Sequence, residues 1–190
     1  MKKRIRASAA VCGLSGAMLL FCPLINAQNT TSPSSSDRKF VQSALEGGQA
    51  EVELGQLAAL KGSTDDVKQF GEKMVADHTK LGDQMKEVAQ KEGINAPSGI
   101  PTKDKALAEK LRGLSVDAFD NAYIKAMVKD HQQDLSEFKK EAESGNDTSV
   151  KGAANQAEQV ISEHLNLAEE MAKKHNPQVN GRQQNGEREH

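Results

Sequence analysis

The chain has 190 residues, with 25 basic and 27 acidic side chains, a formal net charge of −2 and 3% aromatic residues. That length supports one domain with a real core, and a composition rich in Ala, Glu, Lys and Gln favours helix over sheet. Without a basic stripe the charge balance argues against nucleic-acid binding.

The first 27 residues read as a secretory signal peptide. Lys2, Lys3, Arg4 and Arg6 form a basic n-region, an apolar stretch follows to about Phe21, and Ile25-Asn26-Ala27 offers a small-residue cleavage site. The stretch is short for a spanning helix and is broken by Ser8, Gly13, Ser15 and Gly16. Phe21 and Pro23 on either side of Cys22 argue against a lipoprotein. Cleavage removes both cysteines, Cys12 and Cys22, so neither disulfides nor thiolates remain. It also removes four basic and no acidic residues, which turns 25 against 27 into 21 against 27, a net charge of −6. The expected location is periplasmic or associated with the cell envelope, with no transmembrane span in the mature chain. Oligomeric state and protein partners are not legible.

Residues 28–36 form a polar linker, and the bundle domain is expected over 37–176. The first helix should begin near Asp37, with Ser36 or Asp37 as cap, and stop at Gly62. A second starts after Ser63 or Thr64 and runs to Glu92, where Gly93 ends it. Pro97, Gly99 and Pro101 mark a loop, and Thr102 caps a short helix ending near Gly113. Ser115 caps the next long helix, which runs to about Ser144, and Gly145-Asn146-Asp147 is a turn. The last helix spans about Thr148 to His175, stopped by Asn176-Pro177, and 177–190 is a polar, disordered tail.

Three of these helices carry an apolar stripe at alternating spacings of three and four. The second has Val67, Phe70, Met74, His78, Leu81, Met85 and Val88. The fourth has Val116, Asp120, Ile124, Met127, His131, Leu135 and Phe138. The fifth has Val150, Ala153, Ala157, Val160, His164, Leu167 and Met171. Short turns imply antiparallel hairpins, so the fold class is all-α, an antiparallel four-helix bundle of helices ~40 Å long. In the first helix, Gly47, Gly48 and Gly55 read as small residues that let a neighbouring helix approach, with a local break at Gly47-Gly48 as the alternative.

His78, His131 and His164 lie in the core stripes, each directly after an acid: Asp77, Asp130 and Glu163. Counted from the turns, the heights of His131 and His164 agree to ~3 Å, and Glu51 on the first helix sits ~6 Å off that level. A core stripe excludes ionisable groups unless they are paired or bind a metal. Three imidazoles with Glu51 as fourth group suit one transition-metal ion: zinc, copper(II) or iron(II). A buried polar layer that sets helix register is the competing reading. Asp77, Asp130 and Glu163 point ~100° away from their histidines. They read first as solvated or Lys-paired charge, then as acids behind the ligands or bridging them. Asp120 reads as a semi-exposed acid at a helix start, with capping of the bundle end or pairing with Tyr123 or a neighbouring lysine as alternatives, and His175 and His190 as bystanders. The di-iron Glu-x-x-His signature is missing, since Val75, Val128 and Ile161 stand three before each His. No nucleophile elbow, P-loop or dinucleotide fingerprint occurs.

Several motifs recur in a fixed order: Ala50-Glu51-Val52-Glu53-Leu54-Gly55, Met74-Val75-Ala76-Asp77-His78, Phe119-Asp120-Asn121-Ala122-Tyr123, His131, and His164-Leu165 with Ala168. In them the chain resembles a bacterial family of exported proteins of unknown function, commonly labelled "predicted outer membrane protein" and assigned to ferritin-like bundles. The resemblance covers about residues 37–175. It implies a ferritin-like four-helix fold and an envelope location, and it points to Glu51, Asp77, His78, Asp120, His131 and His164 as marked polar residues. It supplies no reaction. The sequence has neither β-barrel alternation nor a second hydrophobic span to support the outer-membrane label. Three functions remain open. The chain binds metal in a protective role, it is a structural or interaction module whose histidines only specify packing, or, ranked last, it is a metal-dependent redox enzyme.

Overall fold

The structure, a computed structural model, describes residues 32–175. The expected signal peptide, linker residues 28–31, the Asn176-Pro177 stop and the tail with His190 lie outside the described residues. Five helices follow in order: α1 (Ser35–Lys61), α2 (Asp65–Lys91), α3 (Thr102–Gly113), α4 (Val116–Ser144) and α5 (Thr148–His175).

The helix starts follow capping chemistry with some shifts from expectation. α1 begins two residues early, because Ser34 is its cap. Its hydroxyl accepts from Asp37 N, and the Asp37 carboxylate accepts from Ser34 N, a reciprocal capping box. Pro101, not Thr102, holds the cap position of α3. Ser115 caps α4 by position, without a side-chain bond. Gly93, with φ of 61°, closes α2 in the left-handed conformation that glycine adopts freely.

α1 pairs with α2 and α4 with α5. The two hairpins then pack α2 on α5 and α1 on α4. Asp37, at the start of α1, contacts the α4–α5 turn, and Asp120, at the start of α4, contacts the α1–α2 turn. α1 and α4 are therefore antiparallel, while α2 and α4 run the same way. The α2–α4 connection must return along the length of the bundle, and α3 lies on that return, against α1 and α4. This is an antiparallel four-helix bundle with one long crossover, the ferritin-like arrangement. No helix among the described residues is long and apolar enough to cross a membrane.

The glycines separate into two kinds. A Cβ on Gly55 would lie 2.8 Å from Gly71 O, and one on Gly71 would lie 2.6 Å from Gly55 O. α1 and α2 touch backbone to backbone there. At Gly47, Gly48 and Gly82 a Cβ would meet nothing within 4 Å. The expected close approach thus holds at Gly55 and fails at Gly47 and Gly48, and α1 runs unbroken through both.

The apolar core is in two parts. One gathers Leu54, Val67, Phe70, Met74, Phe119, Tyr123, Ile124, Met127 and Met171 with Leu111 of α3. The other gathers Val41, Leu45, Met85, Ala89, Ile94 and Val150, with Phe40 edge-on to Phe138 at 4.9 Å. Between the two along the long helices lie four of the nine buried polar side chains among the described residues, Glu51, His78, His131 and His164.

Candidate metal centre

His78 comes from α2, His131 from α4 and His164 from α5, each from the middle of a long helix and on its buried face. His131 and His164 are fully buried and His78 is 5% exposed. One ring nitrogen from each lies within 4.8 Å of the other two. The ring centroids stand 5.7 Å (His78–His131), 5.2 Å (His78–His164) and 5.5 Å (His131–His164) apart. Metal–imidazole bonds of ~2.0–2.1 Å can be reached from that spacing by small ring movements.

Hydrogen bonds fix two of the three rings. His131 Nδ1 donates to Met127 O at 3.1 Å, so its Nε2 carries the lone pair. His164 Nε2 donates to Asp77 Oδ2 at 2.9 Å, so its Nδ1 carries the lone pair. Both lone-pair nitrogens, and His78 Nε2, are buried without a hydrogen-bond partner. Unsatisfied buried acceptors each cost ~1–3 kcal/mol.

Electrostatics keeps these rings neutral. Burial, reinforced by the other two histidines, pulls His78 down to about 3. Burial first, then competition with the adjacent His164 ring for a proton, pull His131 down to about 4. Burial also lowers His164, although Asp77 works against it. Neutral imidazole is the form that binds metal.

Asp77 does more than face solvent. It bonds His164 and pairs with Lys73 at 3.0 Å, and Lys73 reaches Glu163 at 2.9 Å. Against its own burial, these partners hold the Asp77 carboxyl below the usual range. A carboxylate bonded to the far nitrogen of a ligand ring fixes tautomer and orientation, the support that metal-binding histidines ordinarily have. Glu163 belongs to this chain at one remove.

Glu51 stands apart. The group within mutual reach of one ion comprises the three histidines alone. Glu51 is 1% exposed, and neither carboxyl oxygen has a partner in hydrogen-bonding geometry. Its charged neighbours include Asp130, Asp134 and Asp104, and Tyr123 feels its charge. Burial first, then the nearby Asp130 carboxyl, push its pKa well above the ordinary value, which favours the neutral acid. Asp130 thus pairs with the Glu51 side of α4. Asp134, one turn on, is raised to about 7 by burial and by Asp130 and Glu137.

Asp120 is neither semi-exposed nor bonded to Tyr123. It is 3% exposed and accepts from Ser63 N (2.9 Å), Ser63 Oγ (2.5 Å), Thr64 N (3.1 Å) and Thr64 Oγ1 (2.9 Å). It therefore caps α2, whose own cap residue, Thr64, makes no side-chain capping bond within the helix. His175 is no bystander either. Its Nε2 lies 3.2 Å from Asp66 Oδ2, which also accepts from Lys174, tying the end of α5 to the start of α2.

Sequence reasoning missed the acids around Glu51. Asp104 and Asp134 come from α3 and α4, far from Glu51 in sequence, and only the crossover brings α3 to that face. The signal available was Asp134, three residues past His131 and so near it on the helix surface.

Comparison with known proteins gives a family and a fold. A domain of unknown function, DUF4142, matches residues 23–171. No curated protein sequence matches. A DUF305 fragment from Deinococcus radiodurans superimposes with a TM-score of 0.68 at 14% identity, over 76% of this chain and 99% of that one. A "putative spore coat protein" from Bacillus halodurans C-125 superimposes with a TM-score of 0.60 at 10% identity, over 76% and 90%. At such identities the likeness establishes the helical-bundle fold and nothing further.

Proposed function

The chain belongs to the DUF4142 family, whose function is unknown, and we propose that it holds one transition-metal ion through His78, His131 and His164. Two observations support this: the three buried histidines bring ring nitrogens into mutual reach, and each has one buried ring nitrogen without a hydrogen-bond partner. A layer built only for packing would use those nitrogens in hydrogen bonds. An ion would serve all three at once. Three neutral nitrogen donors suit zinc, copper(II) or iron(II). Asp77 would hold the His164 ring in place, backed by Lys73 and Glu163.

The location that accompanies this reading is the cell envelope. It rests on the basic n-region, apolar stretch and Ala27 cleavage site, which would give a mature chain beginning at Gln28. Mass spectrometry of the protein from an envelope fraction tests it. A retained Met1 or a lipid on Cys22 would refute it.

The metal reading is tested on the untagged mature chain by elemental analysis and titration calorimetry. One equivalent of zinc or copper is expected, lost in His131→Ala and retained in His175→Ala. No uptake by the native chain, together with a His131→Leu variant as stable as native or more so, would leave the histidines as a packing layer.

A further inference from the structure

Three protein donors leave a metal one position short of four, and Glu51 is not among the groups within mutual reach. A site with three protein ligands and an open position is the arrangement that admits an exogenous ligand. What reaches that position depends on the space around the rings.

His78 has that space on two sides. It lines a cavity of about 330 Å³ between α1, α2 and the segment after α2, together with Gly48, Gln49, Thr79, Gly82 and Pro97. It also lines a narrower cavity of about 50 Å³ that includes Phe40, Gly47, Asp134 and Phe138. Each exceeds the ~10–15 Å³ that one water requires. His131 and His164 line neither cavity and are fully buried.

Gly48 and Gly82 border both cavities. Gly82 is four residues past His78, one turn along the same face of α2. Glycine inside a helix is destabilising relative to alanine. Gly55 and Gly71 have a compensating reason, their backbone contact, whereas a Cβ on Gly48 or Gly82 would meet nothing within 4 Å. What these two glycines contribute is open volume beside the most accessible of the three imidazoles.

We infer that the gap at Gly48 and Gly82 is an access port, through which a small oxygen- or nitrogen-donor molecule of a few heavy atoms reaches the open position of the metal centre on its His78 side. This rests on the metal reading above and adds the ligand class and the route.

The test uses the untagged chain loaded with copper(II), with azide as probe and the azide-to-copper charge-transfer band as readout. The native protein should bind azide. Gly82→Leu and Gly48→Leu, which fill the gap from opposite helices, should keep one equivalent of copper while the azide on-rate falls by an order of magnitude or more. Gly152→Leu, at another open helical glycine away from the port, should keep the native rate. Copper-loaded native protein with no azide band would overturn the port and leave the metal reading standing. Equal on-rates in native and both port variants would do the same. Absence of copper uptake by the native chain would overturn both.

Discussion

Asp37 and Asp120 serve each other's hairpin. Asp37, in the first turn of α1, accepts from Asn146 N and Asp147 N at 3.0 Å each, in the α4–α5 turn. Asp120, near the start of α4, accepts from both backbone amides and both hydroxyls of Ser63 and Thr64, in the α1–α2 turn. Each carboxylate closes a turn belonging to the other half of the bundle.

Asp120→Ala should therefore destabilise the fold by about 2–3 kcal/mol at neutral pH, since it strands several donors of a buried, charged acceptor. Although burial opposes it, the hydrogen bonds from Ser63 and Thr64 hold the Asp120 pKa below 3.8. A depressed folded pKa gives stability that is present above the unfolded value and lost as pH falls through the folded one. The gap between native and variant in urea unfolding should be full at pH 7 and shrink below about pH 3.8. A gap that does not narrow in acid would argue that the carboxylate charge is not what holds the turn.

Glu141 titrates in the opposite sense. Burial first, then the Asp37 carboxyl beside it, raise it to about 7. A raised acid contributes stability below its unfolded pKa, here 4.5, and loses it as pH rises through about 7. Glu141→Gln should remove that loss. Between pH 5 and 8 the variant's stability should decline less than the native chain's, by on the order of 1 kcal/mol at the alkaline end once solvent screening is allowed for. Parallel stability profiles would show that Glu141 is not the responsible group.

The two kinds of glycine make a matched pair of substitutions. Gly82→Ala places a Cβ in open space and should stabilise by ~1 kcal/mol, the ordinary helix-propensity difference. Gly71→Ala would drive a Cβ to within 2.6 Å of Gly55 O. It should cost about 1–3 kcal/mol as overpacking against a backbone that has no rotamer to yield. Thermal unfolding of the two variants should move in opposite directions.

Glu51→Leu separates Glu51 from the centre. The substitution removes two buried unpartnered oxygens and a carboxyl crowded by Asp130. Stability should rise by about 1–3 kcal/mol. If His78, His131 and His164 suffice, metal stoichiometry should stay at one. Loss of metal binding in this variant would make Glu51 a ligand after all.

Helix boundaries were readable to within two residues, because caps and glycine stops are local chemistry. The convergence of the three histidines was readable too, since it needs only the stripes and the short turns. Which flank of a stripe goes inward was harder. In α5 the expected Ala153, Val160 and Leu167 are half-buried, while Ala154, Ile161 and Ala168 are buried. Alanine carries little hydrophobic signal, yet it is what fits where helices come close. Val116 was expected in the core and is 52% exposed, because the buried face of α4 begins at Phe119. The environment of Glu51 could not be read at all, as it depends on where the crossover lays α3.

Glu51 and the three histidines interrupt the oily interior at mid-height, leaving two apolar clusters with no buried residue in common. Local opening follows such contiguous packed units, so the polar layer is where opening of one end would stop short of the other. An ion clasped by α2, α4 and α5 at one level would join them into a single cooperative body. Its arrival would be felt farthest away, as slower hydrogen exchange of the turn amides that Asp37 and Asp120 hold.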